Sequence, residues 1–190
     1  MNRIDFRTQF SEAIDYLKRC RWCIFLVIFV FFFFSFIGFA FRNQLHMLDP
    51  YLREVFSRAA DTKGFYLFLY ILQNNVQASF YGLAGGALLG LFPIITTVLN
   101  GLVLGYVGGL VIDTSSVVDL WRLLPHGIFE LPAVFISLGL GIYLGLFLFS
   151  GSPRKAFFER LYQSANAFLV IVFPLLLLAA VIESVLIAFV

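Results

Sequence analysis

The chain has 190 residues, of which 61% are hydrophobic and only 13% are charged. Soluble domains contain about 45–50% apolar and about 25% charged residues, so this composition predicts an integral membrane protein instead. The length accommodates roughly five spans of about 20 residues, which leaves no room for a soluble catalytic domain beside them. A formal net charge of +2 is too small to indicate a protein that binds nucleic acid.

Residues 1–21 predict an amphipathic helix on the cytoplasmic side of the membrane. Apolar residues recur there at near-helical spacing among charged ones. This pattern fits a helix on the membrane surface and equally well a helix docked on its own bundle. Cys20 and Cys23 follow closely, but no second pair or nearby His completes a metal or redox site. We therefore interpret both cysteines as incidental interfacial residues.

Residues 22–190 predict one all-α, polytopic membrane domain. Its five apolar stretches lie at about 22–41, 65–92, 94–112, 131–149 and 167–190. Residues 29–36 of the first span are nearly all Phe, and close helix contacts in lipid need small residues, so we expect this span outside the core. Pro93 predicts the turn between the second and third spans, and residues 151–163 predict a basic loop.

The placement of Lys and Arg predicts the orientation of the protein. Eight of these residues lie in 1–21 and 151–163, whereas five lie in 42–64 and 113–124. Because basic residues are enriched in cytoplasmic loops, we expect a multi-pass protein of the cell (plasma) membrane with its N-terminus in the cytoplasm.

Small residues recur at every fourth position in the second, third and fourth spans. Such ridges let helix backbones approach closely in lipid, so they predict the packing core. The glycines concerned are Gly82, Gly86, Gly90, Gly101, Gly105, Gly109, Gly141 and Gly145. Residues 86–92 are also weakly similar to residues 141–147, with Asn75 and Glu130 each 11 residues upstream. This similarity fits a parallel helix-pair repeat, or a chance match between apolar segments.

Polar side chains within the spans form the candidate site. An ionisable residue in lipid costs about 2.5–3.5 kcal/mol on insertion scales, so it normally faces the bundle and finds a partner. At 1.5 Å per residue, most of these side chains fall in one outer layer, whereas Asn100 falls in a separate inner layer. The outer layer contains Asn74, Asn75, His126, Glu130 and Glu183.

His126 and Glu130 lie one helical turn apart and therefore share a helix face. Three interpretations remain open: a structural hydrogen-bond network, which we favour, a site for a substrate, proton or ion, and a metal site. His126 with one or two Glu and a water would be enough for zinc, but the third protein ligand is not established; no other cofactor is expected. The chain has no H-E-x-x-H motif, P-loop or G-x-S-x-G motif, so we predict a non-enzyme.

Three segments carry a family resemblance: Asn74-Asn75-Val-Gln-Ala-Ser, Asn100-Gly101, and the His-Gly-x-x-Glu block within residues 124–133. Over residues 65–190 the chain resembles the stage II sporulation protein M family of integral membrane proteins. The founding member of that family is a membrane scaffold in endospore engulfment and acts with two peptidoglycan-remodelling partners. The resemblance implies a multi-span protein in contact with lipid.

These observations favour a non-enzymatic membrane scaffold or assembly protein. We expect it to form a homo-oligomer and to contact other membrane or envelope proteins. The alternative is a small permease or channel for an ion or metabolite, with its path lined by Asn75, His126 and Glu130.

Overall fold

The structure is a computed structural model that describes residues 6–50, 52, 64–114 and 124–188. These residues are almost entirely helical and contain no strand, which confirms the all-α prediction. The principal helices are α1 (Phe6–Ala40), α2 (Gly64–Ala84), α3 (Leu91–Thr114), α4 (Leu124–Gly145), α5 (Pro153–Ala167) and α6 (Phe173–Ala188). A π-helical segment, Phe168–Val172, joins α5 to α6 without a break.

Within the described chain, four stretches are long and apolar enough to cross a membrane. They are Arg7–Ala40, Leu91–Asp113, Ile128–Phe149 and Pro153–Val185. Helix α2 has 21 residues but is less apolar, because Gln73, Asn74, Asn75, Gln77 and Ser79 lie within it. The predicted count of five spans therefore depends on α2 and stays a prediction.

The first span lies at the periphery of the helix bundle with most of its Phe side chains exposed, but one of its faces packs closely on α3, which was not predicted. Val27 and Phe31 of α1 are buried. A Cβ atom added to Gly105 of α3 would overlap the carbonyl oxygen of Ser35, so the backbones of α1 and α3 touch. The small residues that allow this close packing lie mainly on α3. The Phe-rich helix can therefore pack without many small residues of its own.

The N-terminal amphipathic segment docks on the bundle. It is continuous with the first span, since α1 runs unbroken for 35 residues. The Tyr16 hydroxyl donates to the carbonyl oxygen of Arg160 at 3.1 Å and shares a 3.0 Å hydrogen bond with Ser164. Asn166 donates from its side-chain amide to the carbonyl oxygen of Gln9 at 3.1 Å. The N-terminal segment is therefore docked on the bundle, which is one of the two positions that the sequence left open.

Two connections also differ from their predictions. Residues 153–163, expected in a basic loop, belong to α5, which begins at Pro153, a residue favoured in the first helical turn. The turn between α2 and α3 occupies residues 85–90 and precedes Pro93. Leu89 and Gly90 have φ values of 58° and 71° there. Pro93 lies in the first turn of α3, where its missing N–H breaks no helical hydrogen bond.

Helices α2 and α4 run in the same direction and touch at glycines. A Cβ atom added to Gly86 would overlap the Gly141 carbonyl oxygen, and one added to Gly145 would overlap the backbone of Gly90. Gly86 lies in the 3-10 turn that follows α2, and Gly90 lies in the turn beyond it. The closest contact between these two segments therefore falls at the end of α2 that leads into α3.

Candidate functional site

A pocket of about 430 Å³ lies among five helices, α1, α2, α3, α4 and α6. We call it the polar pocket. Five of the six polar residues predicted for the site line it: Asn74, Asn75, Asn100, Glu130 and Glu183. Residues that are distant in sequence, from α2 to α6, therefore contribute to one continuous space.

Helix α2 supplies buried polar groups at one-turn spacing. Asn75 and Ser79 are i,i+4 neighbours, so they share the helix face that is turned towards the pocket. The side-chain amide of Asn74 donates to the Oδ1 atom of Asn75 at 3.4 Å. Ser79 is only 1% exposed, and its hydroxyl has no hydrogen-bond partner among the described residues. A buried hydroxyl of this kind is rare and needs an explanation.

Two carboxylates face the pocket from different helices. Glu130 on α4 accepts a hydrogen bond from the Asn75 side chain and lies within electrostatic range of Glu183 on α6. Like charges repel strongly away from water, because the local dielectric constant is low. Among the described residues, no Lys, Arg or His lines this space. The site is therefore better suited to a cation or a hydrogen-bond donor than to an anion.

The pocket extends along α3, and this extension corrects the predicted position of Asn100. Residues 96–107 of α3 contribute lining side chains, a stretch of about 16 Å at 1.5 Å per residue. That length exceeds half of a hydrocarbon core of about 30 Å. Asn100 lies within this stretch and lines the same space as Asn75 and Glu130. The separate inner polar layer that we predicted is wrong, because depth along one helix ignores the length of a shared cavity.

His126 lies in the first turn of α4, one turn before Glu130. Its side chain lies outside the described part of the structure, so its predicted pairing with Glu130 stays a prediction. Where side chains are described, no group of three or more His, Cys, Asp or Glu is arranged to hold a metal ion. The predicted zinc site at His126 and Glu130 is untested by this geometry.

Several lining residues escaped the sequence analysis. Phe31 of α1 lines the pocket, although the first span was expected elsewhere. Thr96 also lines it, with its hydroxyl donating to the carbonyl oxygen of Phe92 at 2.9 Å. Ser79 could have been found from its one-turn spacing to Asn75. The apolar wall consists of Phe31, Ala78, Val103, Leu104, Val107, Leu131, Val134 and Leu138.

A second polar cluster lies near the C-terminal end of α3, far from the turn that joins α3 to α2. Arg42 donates to both carboxylate oxygens of Asp113, at 2.6 and 3.0 Å. This hydrogen bonding raises the pKa of the Arg42 guanidinium further above its ordinary value. The buried Tyr106 hydroxyl donates to Asp49, which lies 3.6 Å from the Nδ1 atom of His46. These contacts hold residues 42–49 against α3 and are separate from the polar pocket.

The comparisons with known proteins identify a family and one partial relative. The family described as Stage II sporulation protein M matches residues 24–186. An uncharacterized protein of Methanocaldococcus jannaschii is 39% identical over 69 residues, which cover 35% of this chain and 39% of that protein. The match thus spans about two fifths of the length of this relative. No solved structure matches the chain. Every residue that lines the polar pocket lies within the family match.

Proposed function

The chain belongs to the stage II sporulation protein M family, and on this premise we propose that it is a multi-pass protein of the plasma membrane whose polar pocket binds a small ligand for transport. The observation that carries this proposal is the convergence of Asn75, Asn100, Glu130 and Glu183 on one cavity among apolar helices. Ionisable side chains inside a membrane bundle are costly and commonly mark substrate or ion pathways. The length of the cavity along α3 adds support for a path across the membrane.

The proposed arrangement has five spans: the four apolar stretches described above and α2, which is the second span in chain order. The N-terminus lies in the cytoplasm. Helix α2 packs beside α4 and α6, and its Asn75 and Ser79 side chains are buried against protein. The test is labelling of single cysteines, introduced after Cys20 and Cys23 are replaced by Ser. We expect an impermeant maleimide to label Met47→Cys from outside intact cells, and Gly151→Cys only after the membrane is permeabilised. The reverse pattern would overturn the orientation.

We propose further that the protein acts without covalent chemistry. The described lining residues offer carboxylates, amides and hydroxyls, but they do not include the His or Lys that commonly activates a Ser or Thr nucleophile. A transported ligand should therefore be recovered chemically unchanged. Mass spectrometry of the contents of the vesicles checks this expectation.

The decisive test of transport is flux into proteoliposomes that contain the purified chain. Ions and metabolites are screened first with the parent protein, and Glu130→Gln is then compared with Glu159→Gln. Glu159 is an exposed residue of α5 that does not line the pocket, so it is a matched control. We expect Glu130→Gln to lose flux and Glu159→Gln to retain it. A parent protein without flux across the whole panel, or an active Glu130→Gln variant, would refute the proposal.

A membrane scaffold is the second candidate, and the exposed Phe face of α1 favours it. Phe29, Phe33 and Phe36 are 68%, 50% and 70% exposed. This surface can meet lipid, another membrane protein or a second copy of the chain. The scaffold role implies that replacing all three residues with Ala reduces self-association or partner binding in cross-linking experiments. Phe149→Ala, at an 86% exposed position elsewhere, is the control. Equal cross-linking of all variants would count against the scaffold.

A further inference from the structure

The polar part of the pocket is built to accept hydrogen bonds and positive charge. Glu130 and Glu183 supply two carboxylates from different helices, and Asn75 orients one of them through a hydrogen bond. Asn74 and Asn100 add carbonyl oxygens that are close to the same space. Both carboxylates would repel an anionic ligand, and the described lining residues include no Lys, Arg or His.

Ser79 provides an independent sign that a ligand belongs in this space. Its side chain lines the pocket, is almost completely buried and has no hydrogen-bond partner among the described residues. Buried polar groups in native proteins nearly always have a partner, supplied by protein, water or ligand. A hydroxyl can accept a hydrogen bond from an ammonium group as readily as it donates one.

The dimensions of the pocket argue against a bare metal ion. Metal cations such as Ca²⁺ and Mg²⁺ need oxygen ligands at about 2.0–2.6 Å on several sides. A cavity of about 430 Å³ is far larger than such a cage and falls within the range of small-molecule sites. Much of its wall is apolar, with Val103, Val107, Leu131 and Val134 among the lining residues. These side chains would contact the body of an organic molecule.

We infer that the ligand of the polar pocket is a small organic ammonium cation, held by Glu130, Glu183 and Asn75 at its charged end and by the apolar wall along its body. Phe31 also lines the same space, and alkylated ammonium groups are attracted to aromatic rings. The inference rests on the proposed function, because it takes the same pocket as the working site.

The experiment compares three probes that share one apolar body and differ in charge: phenethylammonium, phenethyl alcohol and hydrocinnamate. Binding to the full chain in nanodiscs is measured by titration calorimetry, and empty nanodiscs correct for partition into lipid. We expect saturable binding of phenethylammonium, at least about tenfold tighter than that of the alcohol, and no binding of the anion. Sodium, calcium and zinc ions alone are titrated as further probes.

Variants then locate the binding. We expect Glu130→Gln to weaken phenethylammonium binding by at least about tenfold, because a charge-assisted contact is lost while the shape of the side chain is kept. Ser79→Ala should weaken binding less, and Glu159→Gln should leave it unchanged. Size-exclusion profiles establish that each variant is folded. The probe series on the parent chain tests the inference even if a variant fails to fold.

The outcomes separate this inference from the proposed function. Equal binding of the alcohol and the ammonium, preferred binding of hydrocinnamate, binding of inorganic ions alone, or no binding at all overturns the inference. If an unrelated ion or metabolite shows flux that depends on Glu130, transport stands and the organic ammonium ligand does not. If phenethylammonium binds through Glu130 but no compound crosses the vesicle membrane, the ligand class stands and transport fails.

Discussion

The two ends of the α2–α4 pair behave differently, although the helices run side by side. At one end, Gly86 lies so close to Gly141 that a methyl group would not fit between the backbones. At the other end, Asn75 and Glu130 are hydrogen-bonded and face the polar pocket. Each polar residue lies 11 positions before its glycine. The pair thus closes where both segments carry glycine and accommodates a cavity where both carry polar side chains.

A single hydrogen bond marks the boundary between the two ends. The Ser137 hydroxyl on α4 donates to the Ser79 carbonyl oxygen on α2 at 2.6 Å. The Ser79 hydroxyl, by contrast, lines the pocket without a described partner. The same residue therefore takes part in helix packing through its backbone and in the candidate site through its side chain. Substitutions can test these two roles separately.

The largest expected effect is that of Gly86→Leu at the glycine end. The added side chain would collide with the backbone of Gly141, and backbone cannot move aside as a flexible side chain can. Overpacking typically costs about 1–3 kcal/mol and occasionally more, and a collision with backbone belongs at the upper end. We expect aggregated or poorly folded protein in size-exclusion chromatography. Gly151→Leu is the control, because no atom lies within 4 Å of a Cβ there. Normal folding of Gly86→Leu would show that the glycine contact is dispensable.

At the polar end, Glu130→Gln should stabilise the protein while it removes ligand binding. Neutralising Glu130 relieves its repulsion from Glu183, and the Gln side chain can still accept from Asn75. Residues kept for function often reduce stability, and single stabilising substitutions in proteins commonly add about 0.5–2 kcal/mol. Thermal unfolding at neutral pH, with Glu159→Gln as the reference, measures this gain. A lower melting temperature for Glu130→Gln would mean that the carboxylate has a structural role.

Ser137→Ala tests the boundary itself. Loss of this hydrogen bond leaves the Ser79 carbonyl without its interhelical donor, which should cost about 1 kcal/mol of unfolding free energy. Ser184→Ala is a suitable comparison, since that hydroxyl donates only to the Val181 carbonyl within its own helix. Chemical denaturation in detergent provides both values. Equal stability of the two variants would contradict an interhelical role for Ser137.

The smallest expected effect is that of Ser79→Ala on the unliganded protein. Because the hydroxyl has no described partner, its removal should change the unfolding free energy by about 0.5 kcal/mol or less. The same denaturation experiment checks this value beside Ser137→Ala. A loss as large as that of Ser137→Ala would indicate that the Ser79 hydroxyl already has a structural partner.

Much of the site could be predicted from residues alone. Asn75, Glu130 and Glu183 stand out because polar groups in lipid-facing positions are costly, so they must face the bundle. That reasoning says which side chains turn inward, but not which helices surround them. Phe31 and Thr96 could not be assigned to the pocket, because an aromatic residue in a Phe-rich span and a helical Thr carry no local signal of a cavity.

The sequence by itself determined the class of protein, the helical structure and the identity of the polar residues that turn inward. These properties depend on hydropathy and on spacing along one helix, and both can be evaluated without knowing the neighbouring helix. Only the tertiary structure decided that α1 packs against α3, that the N-terminal segment docks on α5, and that Asn100 joins the polar pocket. Each of these depends on how two separate helix surfaces fit together, and no single segment contains that information.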